Sequence, residues 1–583
     1  MNLNFENISK SFGEREILIN VSGRISQNDK IGLIGANGIG KTTLAKILSR
    51  NDTPDSGRIT CSPTNMKVFY IDQHPVFESG ATAFKELSKI LTESNKHMGA
   101  EYIINKALNA SGIKEDLWGQ DISELSGGEK TKVVLCKAML ADYDLLVLDE
   151  PTNYLDMEGL RWIEEMLNNI EKPMLIISHD RYFLDKAANK IWEMTSGGIK
   201  AYEGNYTSYK NQKDIELKNV EKEYEKQQVK MEHLRRAIGE RRQWFERAHK
   251  AAGQSDFYRA KAKKHMNVLK AKEKELERVE QEKVEKPKKV ATPAFDIINK
   301  NIVNKKLPPY LIQVRNLSKS FGDKNILDSA SFNVTRMDKI ALIGENGAGK
   351  TTLLKIINDD DHEYEGSVVV SPSTKIGYFA QELNGLDYDK TVLENIIMEG
   401  ASEAEARLLL ACLLFKGDEV FKKAGILSMG EKCRVAFAKL IISGASLLIL
   451  DEPTNYMDIE SREKIEEVLE DYCGSILLVS HDRYFISKIS NKIIKIENRK
   501  LKIYEGDYEH YLEKSREEKA IDESPVNYAK IKETINLLEC ELAYMGGRLD
   551  GGLDEEEKNK LNNKYIETAR QLNKYKDMIK LRN

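Results

Sequence analysis

At 583 residues the chain is too long for one hydrophobic core, because single cores stop growing at roughly 250–300 residues, so two large domains with smaller additions are expected. Apolar residues make up 41% and charged residues 31%, the latter above the ~25% usual in globular chains, which predicts packed cores together with long solvated helices; a net charge of −4 excludes a chain that coats nucleic acid along its whole length, and any basic function is local. No apolar run reaches the ~18 residues that span a bilayer, Met1–Lys10 is polar and unlike a secretory leader, and Cys61, Cys136, Cys412, Cys433, Cys473 and Cys540 form no C-x-x-C pair, so the chain reads as cytoplasmic with reduced, structural thiols.

The first predicted elements are short β-rich runs, Lys30–Ile34, Leu145–Leu148 and Met174–Ile177, alternating with amphipathic segments of helix length. That alternation implies a mostly parallel α/β sheet. After the first run comes Gly35-Ala36-Asn37-Gly38-Ile39-Gly40-Lys41-Thr42-Thr43, a G-x-x-x-x-G-K-T loop. Its glycines permit a tight backbone whose N–H groups, with the N-terminus of the next helix, hold phosphate oxygens; Lys41 reaches the terminal phosphates and Thr42 offers a hydroxyl to magnesium. The run Leu145–Leu148 ends in Asp149-Glu150. An acid at the mouth of a sheet suits magnesium, and the next carboxylate is placed to polarise an attacking water.

From Asn211 to Pro309 the pattern changes. Val220, Tyr224, Met231, Leu234 and Ile238 fall at helical spacing amid charges, and Met266, Leu269, Leu276 and Val279 follow a turn near Ala248–Ser255 until Pro287, where a second helix is expected to stop. The spacing predicts a hairpin with arms of about 38 residues, each reaching roughly 57 Å at 1.5 Å per residue. Between Lys230 and Lys270 twelve Lys or Arg stand against four acids, with four aromatics interleaved. That excess points to contact with nucleic acid, cations meeting phosphates and aromatic rings stacking on unpaired bases. The candidates are Arg241, Arg242, Trp244, Phe245, Lys250, Phe257, Tyr258, Lys261 and Lys263; a solvated coiled-coil face is the plainer alternative.

The first pattern then returns. Ile343-Gly344-Glu345-Asn346-Gly347-Ala348-Gly349-Lys350-Thr351-Thr352 repeats the phosphate loop at an offset of 309, as Phe321 repeats Phe12. Asp451-Glu452-Pro453-Thr454-Asn455-Tyr456 repeats Asp149–Tyr154, and Ser480-His481-Asp482-Arg483-Tyr484-Phe485 repeats Ser178–Phe183, both at 302. Acidic helix caps would explain one Asp but not a carboxylate pair that recurs. Beyond Ser524-Pro525, Tyr528, Ile531, Ile535, Leu538 and Leu542, then Leu561, Tyr565, Leu572, Tyr575 and Ile579 after Gly546-Gly547, predict a C-terminal helical hairpin. The expected divisions are 1–210, 211–309, 310–515 and 516–583.

Leu125-Ser126-Gly127-Gly128-Glu129 and Leu427-Ser428-Met429-Gly430-Glu431 lie about twenty residues before the acidic strands and resemble the ABC signature. With both phosphate loops and both acidic pairs, the chain is identified as a member of the ABC ATPase superfamily: α/β, two P-loop cassettes joined by a helical hairpin. The resemblance implies a monomer whose cassettes close head to tail over two ATP with Mg2+, each held by the phosphate loop of one cassette and by Ser126, Gly127 and Gly128, or Ser428 and Gly430, of the other. It implies magnesium at Thr42 and Asp149, and at Thr351 and Asp451, with Gln73 and Gln381 as glutamine-loop ligands. Glu150 and Glu452 would be catalytic beside the switch residues His179 and His481, Asp156 and Asp458 would be the D-loop acids, and Phe12 and Phe321 would stack on adenine. Met429 replaces the usual Gly, so the site built on Lys41 is expected to be less tightly formed; Tyr154 and Tyr456 replace a more usual His.

Two cassettes joined by a long helical linker without a membrane segment resemble the ABC-F group. The interval Lys41–Ser126, 85 residues, is too short for the inserted coiled coil of the chromosome-condensing ATPases, and the iron–sulfur recycling relative needs an N-terminal cysteine module, whereas the first cysteine here is Cys61. Gln73–Ser126 spans 53 residues against 47 for Gln381–Ser428, too little for the arm that several housekeeping members insert there. The chain thus resembles the members that protect ribosomes against lincosamides, pleuromutilins and streptogramin A, which implies the ribosome as partner, through rRNA and P-site tRNA, and no membrane. The alternatives are a factor that resolves stalled ribosomes and the ATPase subunit of a separate exporter.

Overall fold

The computed structural model describes residues 1–73, 75–93, 100–251, 256–282, 298, 299, 302, 308–380, 385–522 and isolated positions between 535 and 576. In the first half, β1 (Asn2–Phe12), β2 (Arg15–Ser26) and β4 (Ser56–Ser62) make an antiparallel sheet ordered β2-β1-β4. A second sheet, ordered β5-β6-β7-β3-β8-β9, takes β3 (Lys30–Gly35), β5 (Val68–Ile71), β6 (Leu145–Asp149), β7 (Met174–Ile177), β8 (Lys190–Thr195) and β9 (Gly198–Glu203), parallel except at its last pair.

β6 shows why this sequence makes a central strand. Leu146 and Leu148 pack with Leu135, Ile163 and Phe183, whereas Leu145 and Val147 pack with Phe5, Ile8 and Leu44. A strand covered on both faces reads as an unbroken apolar run, and each leucine so buried contributes about 1.5–3 kcal/mol. The run stops at Asp149, on the edge where β3 delivers Gly35 and β7 delivers Ser178-His179, the carboxyl edge at which open parallel sheets bind ligands.

The second half repeats both sheets. β10 (Tyr310–Phe321), β11 (Lys324–Thr335) and β13 (Glu365–Val370) are ordered β11-β10-β13. β12 (Lys339–Gly344), β14 (Ile376–Phe379), β15 (Leu447–Asp451), β16 (Ser475–Val479), β17 (Lys492–Glu497) and β18 (Lys500–Glu505) are ordered β14-β15-β16-β12-β17-β18. Between phosphate loop and signature, the first half has helices Ala83–Glu93 and Ala100–Ala110, the second Val392–Ile397 and Glu403–Cys412. No inserted arm stands there among the described residues.

By its contacts the chain forms two units, Met1–Ser490 with Ile494–Ile503, and Asn491–Ile493 with Tyr504–Asn583. The first contains the linker, whose arms are unequal rather than matched: helix Tyr206–Ala251 has 46 residues and helix Asp256–Gln281 has 26, or roughly 69 and 39 Å. Met231, Leu234 and Val279 are buried together with Leu276 against them. Val220, expected in that seam, is 38% exposed. Gln227 Nε2 donates to the carbonyls of Val279 (3.3 Å) and Glu282 (2.8 Å), so Val220 lies beyond the described end of the second arm. At the base, Lys210 Nζ lies 2.8 Å from the Glu463 carboxylate and the Tyr206 hydroxyl 3.4 Å from it, fastening the first arm to helix Ile459–Glu470 of the second half.

In the second unit, helix Tyr508–Asp522 is braced by the Tyr504 and Tyr511 rings, 5.1 Å apart edge to face, and Ile535, Met545 and Leu572 are buried. Pro287, the turn Gly546-Gly547, Tyr528, Ile531, Leu561, Tyr575, Ile579 and Cys540 lie outside the described residues.

Candidate active site

The phosphate loops depend on glycine at the residue before the lysine. Gly40 and Gly349 cap helices Lys41–Leu48 and Lys350–Ile357 at φ of 105° and 98°, and a Cβ there would stand 2.6 Å from Leu18 and 2.4 Å from Ile326. Lys41 Nζ donates to the Gly35 (2.7 Å) and Ala36 (3.1 Å) carbonyls, and Lys350 Nζ to those of Gly344 (2.8 Å) and Glu345 (2.9 Å). Burial pushes both ammonium groups down, opposed by the nearby Glu150 and Glu452.

Asp149 and Asp451 bond the Thr42 and Thr351 hydroxyls, and the Tyr70 hydroxyl donates to Asp149 Oδ2 at 3.2 Å. Asp149 Oδ1, Asp451 Oδ2, Glu150 Oε1 and Glu452 Oε1 are buried without a hydrogen-bond partner among the described residues. Such oxygens fit a magnesium ion and an ordered water. Among the described residues no group of three His, Cys, Asp or Glu is arranged to hold a metal ion by itself, so phosphate oxygens and water would complete the shell, the usual manner for magnesium.

Glu150 and Glu452 sit at φ of 49° and 50°, a left-handed conformation that is strained for glutamate and concentrated at functional sites. The His179 and His481 N–H groups donate to their Oε2 atoms at 3.3 and 3.4 Å, and the imidazole Nε2 atoms stand 3.5 and 3.6 Å from Oε1. Burial raises Glu150 to about 7 and Glu452 to about 8, and it drives His481 down to about 4 and His179 well below its usual value. Neutral imidazoles therefore face carboxylates whose basicity suits proton transfer near neutrality.

A pH dependence follows. A carboxyl raised from an unfolded value near 4.5 to a folded value of about 7 destabilises the fold progressively as pH rises between those two values, because the unfolded chain ionises freely while the buried group holds its proton. Glu150→Gln removes that penalty. The melting temperature of the nucleotide-free variant should match that of the parent at pH 4.5 or below, exceed it increasingly up to about pH 7, and keep a steady advantage above, as scanning calorimetry would record. A difference of the same size at every pH would contradict the shift.

The two halves meet across one cleft of about 1250 Å3 lined by both phosphate loops, both acidic pairs, both signatures, Phe12, Gln73 and Phe321. Asn37 Nδ2 donates to the Tyr456 carbonyl (3.1 Å) and its N–H to Asp458 Oδ2 (3.3 Å); Asn346 makes the same pair with Tyr154 (3.0 Å) and Asp156 (3.3 Å). Each phosphate loop thus faces the opposite D-loop, and the Asp156 and Asp458 side chains contact protein backbone while also capping helices at Gly159 and Ser461. Ser126 and Ser428 cap the signature helices through matching boxes with Glu129 and Glu431. A Cβ on Gly128 or Gly430 would meet the Tyr154 or Tyr456 carbonyl at 2.6 or 2.8 Å. Met429 leaves this capping unchanged and adds an exposed thioether to the cleft. Gln381 lies outside the described residues. Phe12 and Phe321 are exposed and backed by Lys10 and Lys319, 5.6 and 4.8 Å from the ring centres, which are themselves paired with Asp52 and Asp361.

Motif spacing gave no local signal for a second set of cross-contacts. Arg181 binds the Glu466 carboxylate and Arg483 the Glu164 carboxylate, the latter at 2.6 and 3.2 Å, and each arginine lies over the tyrosine following its twin, 4.8 Å from Tyr484 and 4.4 Å from Tyr182.

On the hairpin, Arg242 pairs with Glu273 at 3.2 Å, Arg235 with Glu280 at 2.7 Å and Lys230 with Glu275 at 3.2 Å. These acids lie just past Lys270, so three of the twelve cations are paired between the arms; because Lys272, Lys274 and Arg278 lie in the same stretch, the basic excess itself is almost unchanged. Arg241 is half-buried and Trp244 exposed. The side chains of Phe245, Lys250, Phe257, Tyr258, Lys261 and Lys263 lie outside the described residues.

In comparison with known proteins, the profile of the ABC transporter family matches residues 18–153 and 327–455, and a second profile with that description matches 192–297. The chain is 34% identical over 566 residues to ABC transporter F family member 5 of Arabidopsis thaliana, covering 88% of this chain and 77% of the relative. It is 34% identical over 500 residues to ribosome protection protein VmlR of Bacillus subtilis, covering 84% and 86%, and 30% identical over 564 residues to the energy-dependent translational throttle protein EttA of Escherichia coli K12, covering 89% and 97%. Its fold is similar to that of the archaeal ribosome recycling factor aABCE1, with a TM-score of 0.58 at 19% identity over 87% of this chain and 91% of that one. No helix among the described residues is long and apolar enough to cross a membrane.

Proposed function

We propose, from the premise that this chain belongs to the ABC-F family of tandem-cassette ATPases, that it spends ATP on the ribosome, where its linker hairpin acts near the peptidyl-transferase centre to protect against lincosamide, pleuromutilin or streptogramin A antibiotics. The hairpin carries this reading: helices of 46 and 26 residues leave the cassettes and meet at a tip where the cations beyond Arg242 outnumber the acids. Support for protection over a general role comes from the similarity to VmlR and from the short helices where other members insert an arm.

In the proposed cycle Lys41 and Lys350 hold terminal phosphates, helped by the signature Ser126 or Ser428 of the other cassette. Thr42 with Asp149, and Thr351 with Asp451, hold magnesium, beside Gln73 and Gln381. Bound there, magnesium neutralises phosphate charge. Glu150 and Glu452 orient water and accept its proton, and His179 and His481 hold those carboxylates by their backbone N–H groups.

EttA, matched over 97% of its length, supports a second reading, a translation factor that acts without a drug. Expression in a drug-sensitive bacterium against a panel of peptidyl-transferase inhibitors decides between them. Protection predicts resistance to these three classes alone, unchanged drug accumulation, and loss of resistance in the Glu150→Gln, Glu452→Gln double variant. Unchanged susceptibility to all three classes would remove the protection reading.

A further inference from the structure

We propose that Arg462 is a positioning residue for only one of the two ATP sites, the one built on Lys41 and Glu150, and that it makes the two sites unequal. This rests on the reading of Glu150 and Glu452 as the groups that orient water.

Through the D-loop helices the two halves correspond residue for residue at an offset of 302. Asp156 and Asp458 cap them alike, and Glu164 and Glu466 receive Arg483 and Arg181 alike. One turn in, the correspondence fails: the first helix, Met157–Asn168, carries Leu160 where the second carries Arg462. Both line the cleft. Leu160, 2% exposed, belongs to the apolar cluster of its own half. Arg462 instead bridges the halves, reaching His179 of the first while it also holds Met457 and Asp482 of its own. Its Nε donates to its own Met457 carbonyl at 3.1 Å, and its Nη1 donates to the His179 carbonyl at 3.1 Å and to Asp482 Oδ2 at 3.2 Å.

The backbone of His179 is thereby held from both sides. Its carbonyl accepts from Arg462, and its N–H donates to Glu150 Oε2. The guanidinium thus restrains, from its carbonyl side, the residue whose N–H holds the carboxylate. In the second site the corresponding side chain, Leu160, has no donor to offer the His481 carbonyl. Asp482 lies between Arg462 and Arg181, 3.2 and 3.7 Å away, which balances the added cation inside the interface. The neighbouring residue, Glu463, fastens the first linker arm, so the turn that holds this site also holds the base of the hairpin.

The test is single-turnover ATP hydrolysis by the full-length protein, with site 1 reporting alone in a Glu452→Gln background and site 2 alone in Glu150→Gln. Arg462→Leu, which copies the residue of the first half, is expected to slow site 1 about tenfold or more, the effect of losing one charge-assisted hydrogen bond. It should leave site 2 within about twofold and fluorescent-ATP affinity at both sites unchanged. Arg462→Lys should recover part of the site 1 rate. Equal slowing at both sites, or none at site 1, overturns the proposal. If the double glutamine variant still turns over ATP, the reading of the glutamates has failed, and the inference falls with it for that separate reason.

Discussion

Glutamine at both Glu150 and Glu452 is expected to cut ATP turnover by a factor of about a hundred or more, the range for removing a general base, while nucleotide affinity stays close to that of the parent. The amide has the shape of the carboxylate, and its oxygen can still accept from the His179 and His481 N–H groups. What it loses is the basicity that burial has raised to about 7 and about 8. Phosphate-loop contacts are untouched, so ATP still bridges the cassettes. The closed arrangement should then persist, because the contacts that join the halves, Asn37 with Tyr456, Asn346 with Tyr154, and the two buried arginine–glutamate pairs, do not involve the substituted atoms. Phosphate release, equilibrium binding of fluorescent ATP and co-sedimentation with ribosomes measure the three parts: turnover falls, binding holds, and the ribosome-bound fraction rises with ATP. Near-normal phosphate release would remove these glutamates from the chemistry.

The same comparison of copies explains what was legible in the sequence. The phosphate loop, the acidic pair and the signature are local strings whose chemistry depends on fixed spacing, and duplication removes chance as an explanation. Their convergence at the strand ends follows from the apolar runs Lys30–Ile34, Leu145–Leu148 and Met174–Ile177, which are recognisable as buried parallel strands. Contacts between distant segments leave no such trace. Arg181 finds Glu466 across 285 positions, and nothing around either residue announces the other. Arg462 is hidden for the opposite reason: it breaks the repeat, and attention to what recurs passes over what does not. The hairpin shows a third limit. Charge counted along a window does not reveal that the antiparallel pairing sets Glu273, Glu275 and Glu280 beside Arg242, Lys230 and Arg235, although Lys272, Lys274 and Arg278 in the same stretch leave the total excess almost unchanged. Charge at a helical hairpin belongs to the pair of arms.

On the protection reading proposed above, the largest effect expected outside the ATP sites is that removal of the tip abolishes drug protection while the ribosome is still bound. Neutralising Arg242 should change ribosome affinity little, because Glu273 already compensates it and an exposed ion pair is worth less than ~1 kcal/mol. Neutralising Arg241, Lys261 and Lys263 together should weaken binding and lower the slope of log affinity against log salt by about 0.7–0.9 for each phosphate no longer neutralised. Trp244, Phe245, Phe257 and Tyr258 should behave differently. Base stacking is worth about 1–3 kcal/mol per ring, modest against a surface of two cassettes, yet it is the part able to reorder bases beside a bound drug. Truncating these four to Ala, or deleting Arg247 to Asp256, is therefore expected to return susceptibility to that of cells lacking the protein, with a smaller loss of affinity. The base contacts of the first arm, Tyr206 and Lys210 on Glu463, are distant from the deletion and should keep the hairpin anchored. Susceptibility and ribosome affinity measured side by side for each variant give the answer. If deletion leaves protection intact in a protein that still folds and binds, the tip is a spacer, and the cassettes or the C-terminal segment must act on the ribosome instead.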